Sequence, residues 1–172
     1  MGNVKIGNME ISLGDLLLLI GGLVMLISVF LAWTKMDPVL GDVYNVSGMD
    51  IISGKLDGDS VSYSFLGKAP LFMLILGIVA IVLAVLPLAK IDMPAIKIAG
   101  AVVALLGLIF AILYLTVGGG SGLFSGDDKD LIDVAIKLGL KMSIAFGAYF
   151  GLIGALVATA GGVLNVLPVF KK

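Results

Sequence analysis

Residues 34–69 read TKMDPVLGDVYNVSGMDIISGKLDGDSVSYSFLGKA. This is the longest run in the chain that cannot be buried in lipid, because polar side chains and glycine punctuation interrupt every apolar stretch in it. The flanking runs have the opposite character. Residues 13–33 are almost wholly apolar, as are 70–89, 96–117 and 142–167. A helix of about 20 residues rises roughly 30 Å, one hydrocarbon thickness. Four such runs predict an all-α membrane protein. It would be a four-transmembrane-helix bundle with a long, partly β-stranded first outer loop and an amphipathic helix before the fourth span. Residues 1–172 would form a single membrane domain, with outer loops at 34–69 and 118–141.

Composition supports that class. Of 172 residues, 60% are hydrophobic and 13% charged, and the mean hydropathy is +1.19. Soluble domains carry about 25% charged residues. The net charge is −1 and there is no Arg, so no basic field exists to attract nucleic acid. There is no His and no Cys. Disulfides, thiolate or imidazole metal sites and Ser-His or Cys-His catalysis are therefore excluded, and no cofactor is expected.

The first span opens at Ser12, an N-cap with Asp15 three residues on. Its apolar run exceeds a signal-peptide core of about 7–15 residues, and no A-x-A cleavage site follows, so it is expected to be retained. The start lacks the Ser or Thr that N-myristoylation needs near position 6, where Ile6 stands. Trp33 falls where an interfacial aromatic anchor belongs. Pro70 suits the first turn of the second span and Pro87 its last. In the turn at 90–95, Asp92 can cap the third span and Pro94 can open it. Glycines 118, 119, 120 and 122 end that span. Residues 127–141 place Leu131, Val134 or Ala135, and Leu138 on one helical face. Asp130, Asp133, Lys137 and Lys141 lie on or near the other, with Asp133–Lys137 at i,i+4. This amphipathic helix either lies flat on the membrane surface or runs into the fourth span, with Gly139 the bend.

Small residues recur at helical spacing on the fourth span (Gly147, Gly151, Ala155) and the third (Gly100, Ala104, Gly107). Without a hydrophobic force between helices in lipid, such residues are where backbones approach. They serve packing within the bundle or a homodimer face. No span carries a charge near its middle, which disfavours a proton or ion relay. In the first loop, 43–46 and 60–65 have strand composition, and Asp57-Gly58 signals a hairpin turn. The Asp residues there lack the order of a Ca²⁺-binding EF-hand. Asn45-Val46-Ser47 is a glycosylation sequon, making Asn45 a candidate acceptor. Lys5, Lys90, Lys97, Lys171 and Lys172 concentrate on the termini and the 90–95 turn. That places both termini in the cytoplasm of a multi-pass cell-membrane protein.

Phe30-Leu31-Ala32-Trp33, Ser47-Gly48-Met49-Asp50 and the stretch from Gly67 to Pro70 resemble segments of small uncharacterised four-span proteins of bacteria and archaea. The resemblance covers roughly the first half of the chain. It implies an integral membrane protein and supplies no catalytic residues. The layout is also similar in outline to the four-span claudin-type proteins, but the W-G-L-W motif and Cys pair of their first loop are missing here. The expected function is that of a non-enzymatic structural or accessory membrane protein, using its outer loop for protein or envelope contact. The alternative is an oligomeric channel or transport component. Expected partners are the lipid bilayer and a second copy or another membrane protein.

Overall fold

The computed structural model describes residues 3–6, 9–91 and 93–169. It is mostly helical, 65%, with a small sheet. Among the described residues, three helices are long and apolar enough to cross a membrane: Ala69–Ala89, Pro94–Val117 and Phe146–Val166.

Ahead of the first helix is a hairpin of β1 (Asn3–Ile6) and β2 (Met9–Ser12). Helix α1 follows, Leu13–Ser28. Its start is as the sequence suggests: the Ser12 hydroxyl accepts the Asp15 N–H at 3.0 Å, satisfying one of the orphan donors of the first turn. Its end is not. The span predicted over 13–33 stops at Ser28, and residues 32–37 form strand β3 (Ala32–Asp37). The indole of Trp33 turns back inside and donates Nε1–H to the Ser28 carbonyl at 2.7 Å. A buried indole needs an acceptor, and the Ser28 carbonyl at the helix end takes it on its second lone pair, beside the Leu31 N–H at 3.1 Å.

Strand β4 (Tyr44–Ser47) pairs antiparallel with β3 and leads directly into the short helix α2 (Gly48–Ser53). Strands β5 (Lys55–Leu56) and β6 (Asp59–Ser60) form the hairpin anticipated at Asp57-Gly58. Both turn residues have positive φ, 51° and 89°, as a two-residue turn matched to strand twist requires. The strand expected over 60–65 is reduced to its first residue, because the peptide groups of Ser62 and Ser64 bond elsewhere.

Helix α3 (Ala69–Val85) opens on Pro70 and tightens into a 3-10 turn over Leu86–Ala89. Helix α4 (Pro94–Val117) opens on Pro94; the Asp92 cap falls outside the described residues, as do Lys171 and Lys172. A 3-10 turn at Ser121–Leu123 precedes α5 (Gly126–Lys137). The amphipathic helix does not run into the last span. Gly139, at φ 110°, reverses the chain into β7 (Lys141–Ile144), and α6 is Phe146–Val166. This last helix therefore begins at 146, not at 142 as expected, since β7 pairs with β3: Thr34 opposite Ile144, Lys35 opposite Ser143, Met36 opposite Met142.

Helix α1 packs against α3 and α6, and α4 packs against the same two. The α1–α6 seam is made of small residues seven apart on each helix. Gly161 lies against the Gly14 carbonyl and the Leu18 N–H, and Gly154 against the Met25 N–H and the Gly21 carbonyl. Close main-chain approach of this kind replaces the missing hydrophobic drive between apolar helices in lipid.

Candidate functional site

At the end of the helices where α1 and α4 finish and α3 and α6 begin, the two polar segments join into one cap. Its frame is the sheet β4-β3-β7. Strands β3 and β4 come from the first segment and β7 from the second, about a hundred residues later in the chain. The segments are bonded a second time away from the sheet. Ser64 N–H donates to the Leu123 carbonyl and Ser125 N–H to the Ser62 carbonyl, both at 2.9 Å. Ser64 Oγ donates to the Gly122 carbonyl at 2.7 Å, and Ser62 N–H donates to the Asp128 carboxylate at 2.7 Å. Tyr63 stacks on Phe124 with ring centroids 5.2 Å apart. Tyr63 is buried and donates its hydroxyl to the Lys55 carbonyl at 2.8 Å. Burial, reinforced by the Asp50 carboxylate, pushes its pKa above the ordinary tyrosine value.

The cap is fixed to the helices by a buried polar knot. Thr34 Oγ1 donates to the Gly118 carbonyl at 2.7 Å. Its one proton being committed, it accepts from the Tyr114 hydroxyl, also at 2.7 Å. Trp33 stands edge-on to Tyr114, centroids 4.8 Å apart. Trp33, Thr34 and Tyr114 are all 0% exposed. Trp33 is therefore not an interface anchor: it is the plug between sheet and helices. The exposed aromatics at this level are others, namely Phe30, Phe65, Phe146 and Tyr149.

Helix α2 closes the gap over the end of α1. Gly48 and Met49 N–H groups donate to the carbonyls of Leu31 and Val29, and a capping box between Ser47 and Asp50 fixes its start. Beside β4, Tyr44, Asn45, Asp50, Lys55 and Asp57 line a groove of about 380 Å³. A second of about 340 Å³ lies across Tyr44 and Leu56, walled by Met36, Val61 and Leu140. Asn45 is exposed on β4. The acidic residues are spread over turns and caps, and among the described residues no three His, Cys, Asp or Glu side chains gather to hold a metal ion.

On α5, Asp133 pairs with Lys129 at 3.0 Å. A hydrogen bond from Ser121, then Lys129, holds the Asp133 carboxyl below the usual range, and Lys129 is raised in turn by Asp133.

The six predicted helix-packing residues all point inward. Gly147 lies on the Ala32 carbonyl and Gly151 on Ser28 Oγ, Met73 and Trp33. Gly100 faces Leu18, Gly107 faces the Met25 side chain and Ala155, and Ala104 and Ala155 are fully buried. Missed from sequence were Gly14, Gly21 and Gly22 on α1, although their spacing mirrors that of Gly154 and Gly161. Missed too was a polar latch at the far end. There Asn165 Nδ2 donates to Asp15 Oδ1 at 2.7 Å, and Ser12 Oγ donates to Asp15 Oδ2 at 2.6 Å.

No protein-family model, curated protein or solved structure matches this chain.

Proposed function

We propose that the protein is a non-enzymatic integral membrane protein with four spans, α1 joining the three long apolar helices, whose cap makes contact with a protein or envelope partner. The observation that carries this reading is the fusion of two polar segments, distant in sequence, into one sheet-framed cap locked to apolar helices. Helix α1, at 16 residues, rises about 24 Å. The buried Ile11 before it and the turn at 29–31 after it lengthen the apolar column. Among the described residues, the exposed aromatics of the helical body, Phe30, Phe146 and Tyr149, cluster at the cap end, where an interfacial belt belongs. The lysines that the sequence concentrates on the termini and the 90–95 turn favour an orientation with both termini in the cytoplasm. No His or Cys is available for catalysis.

A stiff, polar, catalytically bare surface on membrane helices suits docking. Extraction of the full chain from its native membrane in mild detergents tests this. A stoichiometric partner or a second copy is expected, and a lone monodisperse monomer in every mild detergent refutes it. The channel alternative receives no support from the small-residue seam, because those glycines are occupied by contacts within the chain. Solute flux in proteoliposomes above that of empty vesicles would revive it.

A further inference from the structure

Helix α5 leaves the apolar face read from its sequence uncovered within the chain. Ile132 packs against the core, whereas the stripe of Leu131, Val134 and Leu138 faces outward, 68%, 54% and 76% exposed. Val39 touches the position of Gly139 at the end of this stripe and is 67% exposed itself. Three adjacent exposed aliphatic side chains on one helix face are a surface without its counterpart. The flanking charges are graded along the helix. Asp127 and Asp130 border the stripe at its N-terminal end and Lys137 at its C-terminal end, all three exposed. The other charged residues of the helix are engaged within the chain: Asp128 with Ser62, and Lys129 with Asp133.

We propose that α5 is a homodimer contact, in which the α5 stripe of a second copy packs antiparallel on this one. A two-fold interface must be self-complementary, and this face is. An antiparallel crossing near Val134 sets Leu131 of each copy on Leu138 of the other and brings the two Val134 side chains together. It also sets the acidic end of each helix beside Lys137 of the second copy. Lipid is the poorer occupant: surface-lying helices favour Lys and Arg on their polar face, while α5 carries four Asp and two Lys. The proposal rests on the reading of the cap as a contact surface and names its partner.

The chain has no Cys, so Val134→Cys introduces the only thiol. Mild oxidation of this variant in native membranes is expected to give a disulfide-linked product of twice 17.7 kDa. Asp59→Cys, exposed on the β5–β6 hairpin, serves as the control and is expected to give several-fold less. Asp130→Lys or Lys137→Asp should each lower the Val134→Cys yield several-fold, and the double exchange should restore it. A yield no greater than that of the control, or a double exchange that restores nothing, overturns the proposal. A Val134→Cys adduct with a different protein overturns self-pairing yet leaves the cap a contact surface. A spin label at Val134→Cys that is more accessible to oxygen than to a water-soluble relaxant shows lipid as the occupant. That result overturns self-pairing and removes α5 from the contact surface.

Discussion

Replacing Thr34 by Val probes the knot between sheet and helices with almost no change of shape. The substitution deletes one hydroxyl that is 0% exposed and takes part in two hydrogen bonds of 2.7 Å. The Gly118 carbonyl loses its donor and the Tyr114 hydroxyl loses its acceptor. A buried polar group left unpaired costs about 1–3 kcal/mol. Because no cavity opens, the expected loss is about 2–4 kcal/mol in all, assigned to these two orphaned groups. Trp33 is the only tryptophan and lies in the knot, so its fluorescence reports the junction directly. Denaturation of the detergent-solubilised protein, followed by Trp33 emission, should show Thr34→Val unfolding earlier. Tyr114→Phe removes the orphaned hydroxyl, so the double variant should be less destabilised than the sum of the two singles by about 1 kcal/mol. A Thr34→Val loss below about 0.5 kcal/mol, within the noise of an ordinary surface change, would refute the knot. Strict additivity with Tyr114→Phe would do the same.

Gly21→Val should separate α1 from α6. A Cβ at position 21 lies 2.6 Å from the Gly154 carbonyl oxygen, and overpacking of this kind costs about 1–3 kcal/mol; a lowered thermal midpoint of the detergent-solubilised protein checks it. Asp57→Val should weaken the β5–β6 hairpin, since a β-branched residue at φ 51° is strained by about 1–3 kcal/mol. Asp57→Asn should be tolerated, and proteolysis of the hairpin ranks the two. Tyr63 has a raised folded-state pKa, so its contribution is complete below its ordinary value of 10.0 and fades as pH rises from there toward the folded value. Cap stability measured by Trp33 emission should fall above that pH, and Tyr63→Phe should flatten the alkaline limb.

The features legible in the sequence were those set by local chemistry. Ser12 with Asp15, Pro94 at a helix start, Asp57-Gly58 in a turn and Gly139 at a reversal each follow from neighbouring residues. Ser47 with Asp50 carries the same S-x-x-D signal and starts α2, yet it sits in a loop too short of apolar residues to suggest a helix. What stayed hidden was pairing across the chain. An apolar run does not distinguish a span from a strand buried against one, so Ala32-Trp33 and residues 142–145 were absorbed into spans. Their true role depends on Met36 meeting Met142, and nothing local encodes that meeting. The same blindness gave Trp33 to the interface, because sequence shows that a tryptophan ends a span but not which way the chain turns. On α5 the periodicity was visible, but which side met the core was decided by the Ser62–Asp128 and Ser121–Asp133 contacts.

Joining of the two polar segments through β3 and β7 is the central claim, and a disulfide tests it most directly. Cα atoms of paired antiparallel residues are about 4.5–5.5 Å apart, within disulfide reach. In the cysteine-free chain, Lys35→Cys with Ser143→Cys joins directly opposed positions on the same exposed face. Mild oxidation in membranes should close an intramolecular bond in this variant and leave Lys35→Cys with Met142→Cys, one residue out of register, largely reduced. Failure of the opposed pair to close, or equal closure of both pairs, would contradict the cap.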